Sequence, residues 1–81
     1  MSDETTPRMV DARGHRCPTP SLRLRRALAR APCGAVIVLL ADDPLARIDV
    51  PHLLAELGDR LIDIETRADG LVFRVQKAPP G

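Results

Sequence analysis

A cysteine followed by two prolines one residue apart, Cys17-Pro18-Thr19-Pro20, constrains this chain more than any other stretch. Upstream, Val10-Asp11-Ala12-Arg13-Gly14 reads as a short strand closed by a glycine turn. Downstream, Ser21 to Ala31 reads as an amphipathic helix. Pro18 disfavours helical backbone in the residue before it, so Cys17 is expected to be extended. That is the conformation of an N-cap. Pro18 at the first helical position gives up only an amide that would be unpaired anyway. Pro20 fits the first turn for the same reason. The Thr19 amide then becomes the candidate donor to the Cys17 sulfur, as an N-cap side chain accepts from the second or third helical residue. Unpaired amides and the helix macrodipole favour negative charge there. Such a setting lowers a thiol pKa and makes a nucleophilic thiolate.

The 81 residues suffice for one small domain. A hydrophobic share of 44% argues for a folded chain rather than a disordered one. Phe73 is the only aromatic residue, so Leu, Ile, Val and Ala must fill the core. A net charge of +1 gives no overall pull toward nucleic acid or membrane. The longest apolar run, Ala35 to Ala41, is far too short to cross a bilayer. The polar start Met1-Ser2-Asp3-Glu4 lacks the basic and apolar regions of a secretion signal, so a cytoplasmic location is expected. Thiols stay reduced in that compartment.

Periodicity sets the expected elements. Residues 1–8 and 78–81 read as loose tails around a domain at 9–77. A first strand covers residues 9–13. A helix from about Pro18 to Ala31 buries Leu24, Ala27, Leu28 and Ala31, with Arg23, Arg26 and Arg30 on its far side. Pro32 and Gly34 end it. The run from Ala35 to Ala41 predicts a central strand, covered on one or both faces, and Asp42-Asp43-Pro44 ends it as a turn. A second helix is expected from Asp49, with Pro51 in its first turn, Val50, Leu53, Leu54 and Leu57 buried and Gly58 as C-cap. Asp69-Gly70 signals a two-residue hairpin turn. Pairing outward sets Ala68 against Leu71, Thr66 against Phe73, Ile64 against Val75 and Glu65 against Arg74. The expected fold is α+β: a two-layer sandwich of order β-α-β-α-β-β, with a four-stranded mixed sheet and two helices on one face.

Arg13-Gly14-x-x-Cys17-Pro18-x-Pro20, preceded by Asp11, resembles the signature of the TusA/SirA family of small sulfur carriers. Ala41-Asp42-Asp43-Pro44, then Asp49-Val50-Pro51, resembles the family's second stretch, and Asp69-Gly70 fits its closing hairpin. The resemblance spans roughly residues 9–77. It implies the same β-α-β-α-β-β fold and a sulfurtransferase-type relay through a persulfide on Cys17. The implied partners are a cysteine desulfurase or rhodanese-like sulfur donor and a downstream sulfur-acceptor protein. The implied pathways are tRNA thiolation, cofactor synthesis or sulfur oxidation, and some branches have regulatory descriptions.

Each candidate residue also has a plainer reading. A buried structural cysteine is common, yet the position of Cys17 between strand and helix favours chemistry. Cys33 sits near a helix C-terminus, where the dipole disfavours a thiolate. The two cysteines lie at opposite ends of a helix roughly 20 Å long, too far for a disulfide. Their spacing is also a poor metal pattern. Arg13 either stabilises the sulfur anion or pairs with Asp11 or an acidic partner. His15 is a candidate base, though a solvated loop histidine is the plainer reading. Asp42, Asp43 and Asp49 read as turn and cap residues. Pro18 and Pro20 shape the backbone around the thiol, with Thr19, Arg13 and Asp11 as further supporting residues. The Arg23, Arg26 and Arg30 face suits an acidic partner surface. One aromatic leaves no stacking platform, which argues against direct nucleic-acid binding. No cofactor or metal is expected. Two other classes remain open: a thiol redox sensor or regulator, and a non-catalytic RNA- or protein-interaction module whose binding depends steeply on salt.

Overall fold

The computed structural model describes residues 8–16 and 19–78. The expectations for Cys17 and Pro18 themselves, and for the segments 1–7 and 79–81, lie outside the described residues.

The element order is β1 (Arg8–Asp11), α1 (Thr19–Arg30), β2 (Val36–Ala41), α2 (Ala46–Leu57), β3 (Arg60–Arg67) and β4 (Gly70–Gln76). The strands form one mixed sheet in the order β1-β2-β4-β3. β1 runs parallel to β2, while β4 is antiparallel to both β2 and β3. β1 begins one residue earlier than expected and ends at Asp11. The ladder reaches one step further, since the Ala12 amide donates to the Leu40 carbonyl at 2.8 Å.

Alternation along β2 buries Ile37, Leu39 and Ala41 and leaves Val36, Val38 and Leu40 half-buried. The buried three join Phe73 and Val75 of β4, Leu24 and Leu28 of α1, and Val50, Leu53 and Leu54 of α2 in a single core. The α1 spacing thus reads through to packing: Leu24 and Leu28 are closed off, Ala31 is buried, Ala27 packs alongside and the arginines stay outside.

α2 starts three residues before the expected position. The Asp43 carboxylate accepts the Leu45 amide at 3.0 Å, and the amides of Ala46, Arg47 and Ile48 make tight bonds back to Asp43, Pro44 and Leu45. Asp43 therefore organises the start, not Asp49, because Asp43-Pro44 combines a side-chain acceptor with a turn-forming proline. Pro51 consequently lies inside the helix and leaves the Arg47 carbonyl without its ladder amide. The buried face is Ala46, Val50, Leu53 and Leu54, while Leu57 is exposed. Gly58 closes the helix in the left-handed region at φ 76°, its amide on the Leu54 carbonyl.

The hairpin register is two residues away from the expected one. Arg67 faces Gly70, Thr66 faces Leu71, Ile64 faces Phe73 and Asp63 faces Arg74, with an irregularity between Leu61 and Asp63. The turn residues are therefore Ala68 and Asp69, and Gly70 belongs to β4. A shift of two keeps every side chain on its expected face, since strand side chains alternate with period two. Glu65 no longer stands opposite Arg74, but it still meets it diagonally at 3.0 Å, while Asp63 takes the direct pairing at 3.0 Å. The cause is nonlocal. A Cβ on Gly70 would come within 2.5 Å of the Ala41 carbonyl oxygen, so glycine is required where β4 starts against the end of β2.

Candidate functional site

The parallel pairing of β1 and β2 sends both strands toward the same end of the sheet, where each leads into a helix. The loop from Ala12 to Arg16 leaves β1 there and leads to Cys17. Ala12 is fully buried, and its carbonyl accepts the His15 amide at 3.3 Å, closing a tight turn. Gly14 takes the third place of that turn at φ 85°. A Cβ there would meet nothing within 4 Å, so glycine is needed for the sign of φ and not for space.

Two carboxylates from other elements hold this loop. Asp42, just past β2, accepts the Gly14 amide at 2.8 Å. Asp69, in the hairpin turn, accepts from Arg13 Nη1 at 3.1 Å. Asp11 binds the rest of the same guanidinium, with Nε at 3.0 Å and Nη2 at 2.9 Å, and also accepts the Arg13 amide at 3.1 Å. The Arg13 side-chain hydrogen bonds are the chief reason that the Asp11 pKa falls to about 2, followed by the Arg13 amide bond. Arg13 is raised further above its already high value, chiefly by Asp11. Of the two readings of Arg13, the geometry shows the ion pair: its guanidinium is occupied by carboxylates.

On the helix side, the Thr19 amide donates to the Arg16 carbonyl at 3.0 Å. The Thr19 amide is thus engaged by a backbone carbonyl three residues upstream, and the expected contact with the Cys17 sulfur lies outside the described residues. Pro20 lies in the first turn of α1, as expected, and its ring is buried. Arg16 and Arg23 are exposed and have no ion-pair partner among the described residues. His15 is exposed and, with Gly14 and Arg16, lines one side of an open groove of about 490 Å³. Asp42, Asp43, Pro44 and Leu45 line the other side. Cys33 is a free, exposed thiol at the opposite end of α1. Asp49 is half-buried in the first turn of α2 and is not its N-cap, which is Leu45. Among the described residues no three His, Cys, Asp or Glu side chains cluster as a metal site, and no helix is long and apolar enough to cross a membrane.

The structure therefore holds Asp11 and Arg13 together at the Ala12–Arg16 loop and places Thr19 and Pro20 in the first turn of α1. It adds Asp42 and Asp69, which local patterns showed only as turn residues. Their role depends on contacts 28 and 56 residues away in sequence, which no local pattern encodes.

The sequence pattern of the family described as sulfurtransferase TusA matches residues 8–77. The chain belongs to this family. It is 40% identical over 70 residues to a protein of Archaeoglobus fulgidus described as a candidate sulfur carrier, covering 86% of this chain and 91% of that one. It is 29% identical over 77 residues to the sulfur carrier protein TusA of Pseudomonas putida, covering 95% and 96%. The crystal structure of a SirA-like protein from Desulfitobacterium hafniense superposes with a TM-score of 0.75 at 23% identity, over 88% of this chain and 97% of that one. That likeness establishes the shared TusA-type fold.

Proposed function

We propose that this TusA-family chain is a sulfur carrier that accepts sulfane sulfur on Cys17 and relays it to a partner protein. The observation that carries this reading is the family match across residues 8–77, with Cys17 in sequence between the loop held by Asp42 and Asp69 and the start of α1 at Thr19. A helix start supplies the electrostatic setting that favours a thiolate.

The chemistry is thiol exchange. The Cys17 thiolate attacks the outer sulfur of a donor persulfide, R–S–SH. The new S–S bond forms as the donor's S–S bond breaks, and RS⁻ leaves. Cys17 then carries –S–SH until an acceptor thiolate attacks its outer sulfur and regenerates the Cys17 thiolate. The rate depends on thiolate fraction, leaving-group pKa and access. A cysteine desulfurase or rhodanese-like protein is the donor class, a sulfur-accepting protein the acceptor and the cytoplasm the compartment. The grooves at this end are open, so selection rests on protein docking rather than on enclosure of a small substrate. The exposed arginines Arg23, Arg26 and Arg30 suit an acidic partner surface.

Intact mass spectrometry tests the reading. After incubation with a cysteine desulfurase and cysteine, the chain should gain about 32 Da, one sulfur atom, removable by dithiothreitol. Cys17→Ser should abolish the gain and Cys33→Ser should keep it. A gain that survives Cys17→Ser would move the site elsewhere. Oxygen added in place of sulfur would favour a redox sensor.

A further inference from the structure

Asp69 sits in the β3–β4 turn, 56 residues from Arg13 in sequence, and still meets it at 3.1 Å. The sheet order explains how. Asp69 lies at the tip beside β4, Arg13 follows β1, and β2 runs between them. Two inter-strand spacings, about 10 Å, separate the edges. Only a long side chain reaching toward a short one closes such a gap. Gly70 makes the reach possible. It has no Cβ, so β4 starts directly against the Ala41 carbonyl and the Asp42 backbone. The hairpin tip is thereby drawn in beside the end of β2, and Asp69 comes within range of Arg13. The guanidinium joins Asp11 through Nε and Nη2 and Asp69 through Nη1. A lysine could hold one such partner but has no fork to span both.

We propose that Asp69 is a positioning residue for the reaction at Cys17, acting through Arg13 to set the loop that presents the thiol. The proposal rests on the sulfur-carrier reading and extends it to a residue on the far hairpin. Arg13 is the turn residue next to Gly14, whose amide is held by Asp42. The Arg13–Asp69 contact fixes one side of that turn and the Asp42–Gly14 contact the other. Thr19 and Arg16, flanking the Cys17-Pro18 pair, are already tied by a backbone bond at 3.0 Å. The approach to the cysteine is then the segment left to be oriented, and Asp69 is its distant anchor.

The test uses the full chain in a Cys33→Ser background, so that Cys17 is the only thiol. Iodoacetamide alkylation is followed across pH, together with sulfur uptake from cysteine persulfide by mass. Asp69→Ala and Arg13→Lys should each slow alkylation at neutral pH about fivefold, the upper range for an exposed ion pair. Each should move the pH midpoint of alkylation, because the loop that presents the thiol is no longer anchored. The pair Asp69→Ala with Arg13→Lys should be no slower than either alone, because both break one contact. Asp69→Asn, which keeps an oxygen acceptor, should recover most of the rate. A role confined to stability would shift the thermal midpoint and leave the alkylation midpoint in place. Alkylation of Asp69→Ala at the parent rate at every pH, or losses that multiply in the double variant, would overturn the proposal. A parent chain that takes up no sulfur would count against the carrier reading, while the alkylation series still decides on Asp69.

Discussion

At the scale of single residues, the acidic side chains near the site hold backbone and cations in place. Asp11 shows the consequence for pH. Its carboxyl has an ordinary value of 3.8 and titrates at about 2 in the fold, chiefly because Arg13 hydrogen-bonds the ionised form. A depressed folded pKa contributes stability that is complete above the unfolded value and is lost as pH falls through the folded one. The window therefore runs from about pH 4 down to about pH 2. Glu65 has the same sign, lowered to about 2 chiefly by Arg67 and then by Arg74. Asp11→Asn should flatten the fall in thermal midpoint across that window, and Glu65→Gln should flatten it further. Asp11 is exposed and Glu65 only half-buried, so the whole slope should be shallow and should shrink in concentrated salt. An unchanged slope in the double variant would remove these two groups as its cause. These roles were only half legible beforehand. Asp11 and Arg13 stand two residues apart, so their pairing was readable as an option. Asp42 and Asp69 find partners across the sheet, and a turn-forming aspartate looks the same locally whether or not its carboxylate reaches another loop.

At the scale of elements, amphipathic spacing carried α1, an unbroken apolar run carried β2, and the turn signal at Asp69-Gly70 carried the existence of both later strands. These signals failed at boundaries that backbone chemistry decides. Asp49-Val50-Pro51 looked like a helix start, but Asp43-Pro44 supplies the acceptor and the turn one helical turn earlier. Asp69-Gly70 looked like the centre of a turn, but Gly70 is needed by β2, a strand that local reading of the hairpin cannot see. α1 also carries a prediction of its own. Its outer surface presents Arg23, Arg26 and Arg30 without carboxylate partners among the described residues. Reversing Arg23 and Arg26 to Glu should slow sulfur loading by a protein donor about tenfold at low ionic strength, with the gap narrowing as salt rises. Loading by small cysteine persulfide should be unaffected. Equal loading by the protein donor at low salt would show that this face does not take part in docking.

At the scale of the whole molecule, the core is small and depends on one aromatic ring. Phe73 is fully buried and packs among Leu, Ile, Val and Ala side chains from helices and strands alike. Phe73→Ala should cost about 3–5 kcal/mol. A domain of this length has about 4–12 kcal/mol in total. Urea unfolding should then show a midpoint reduced by about a quarter or more, or a chain already partly unfolded in buffer. Phe73→Leu, which keeps most of the volume, should lose far less. A small loss for the alanine variant would mean that the neighbours collapse into the space.

The sheet order has one more outcome. β1 is bonded to a neighbour along a single flank, and that neighbour holds it by only a few residues. The strip of chain that delivers the thiol is thus stitched to the hem of the fabric, where a seam opens first. Warming or mild denaturant should blunt the carrier before it melts the body of the protein, so loss of transfer is an early symptom of wear and not a sign of collapse.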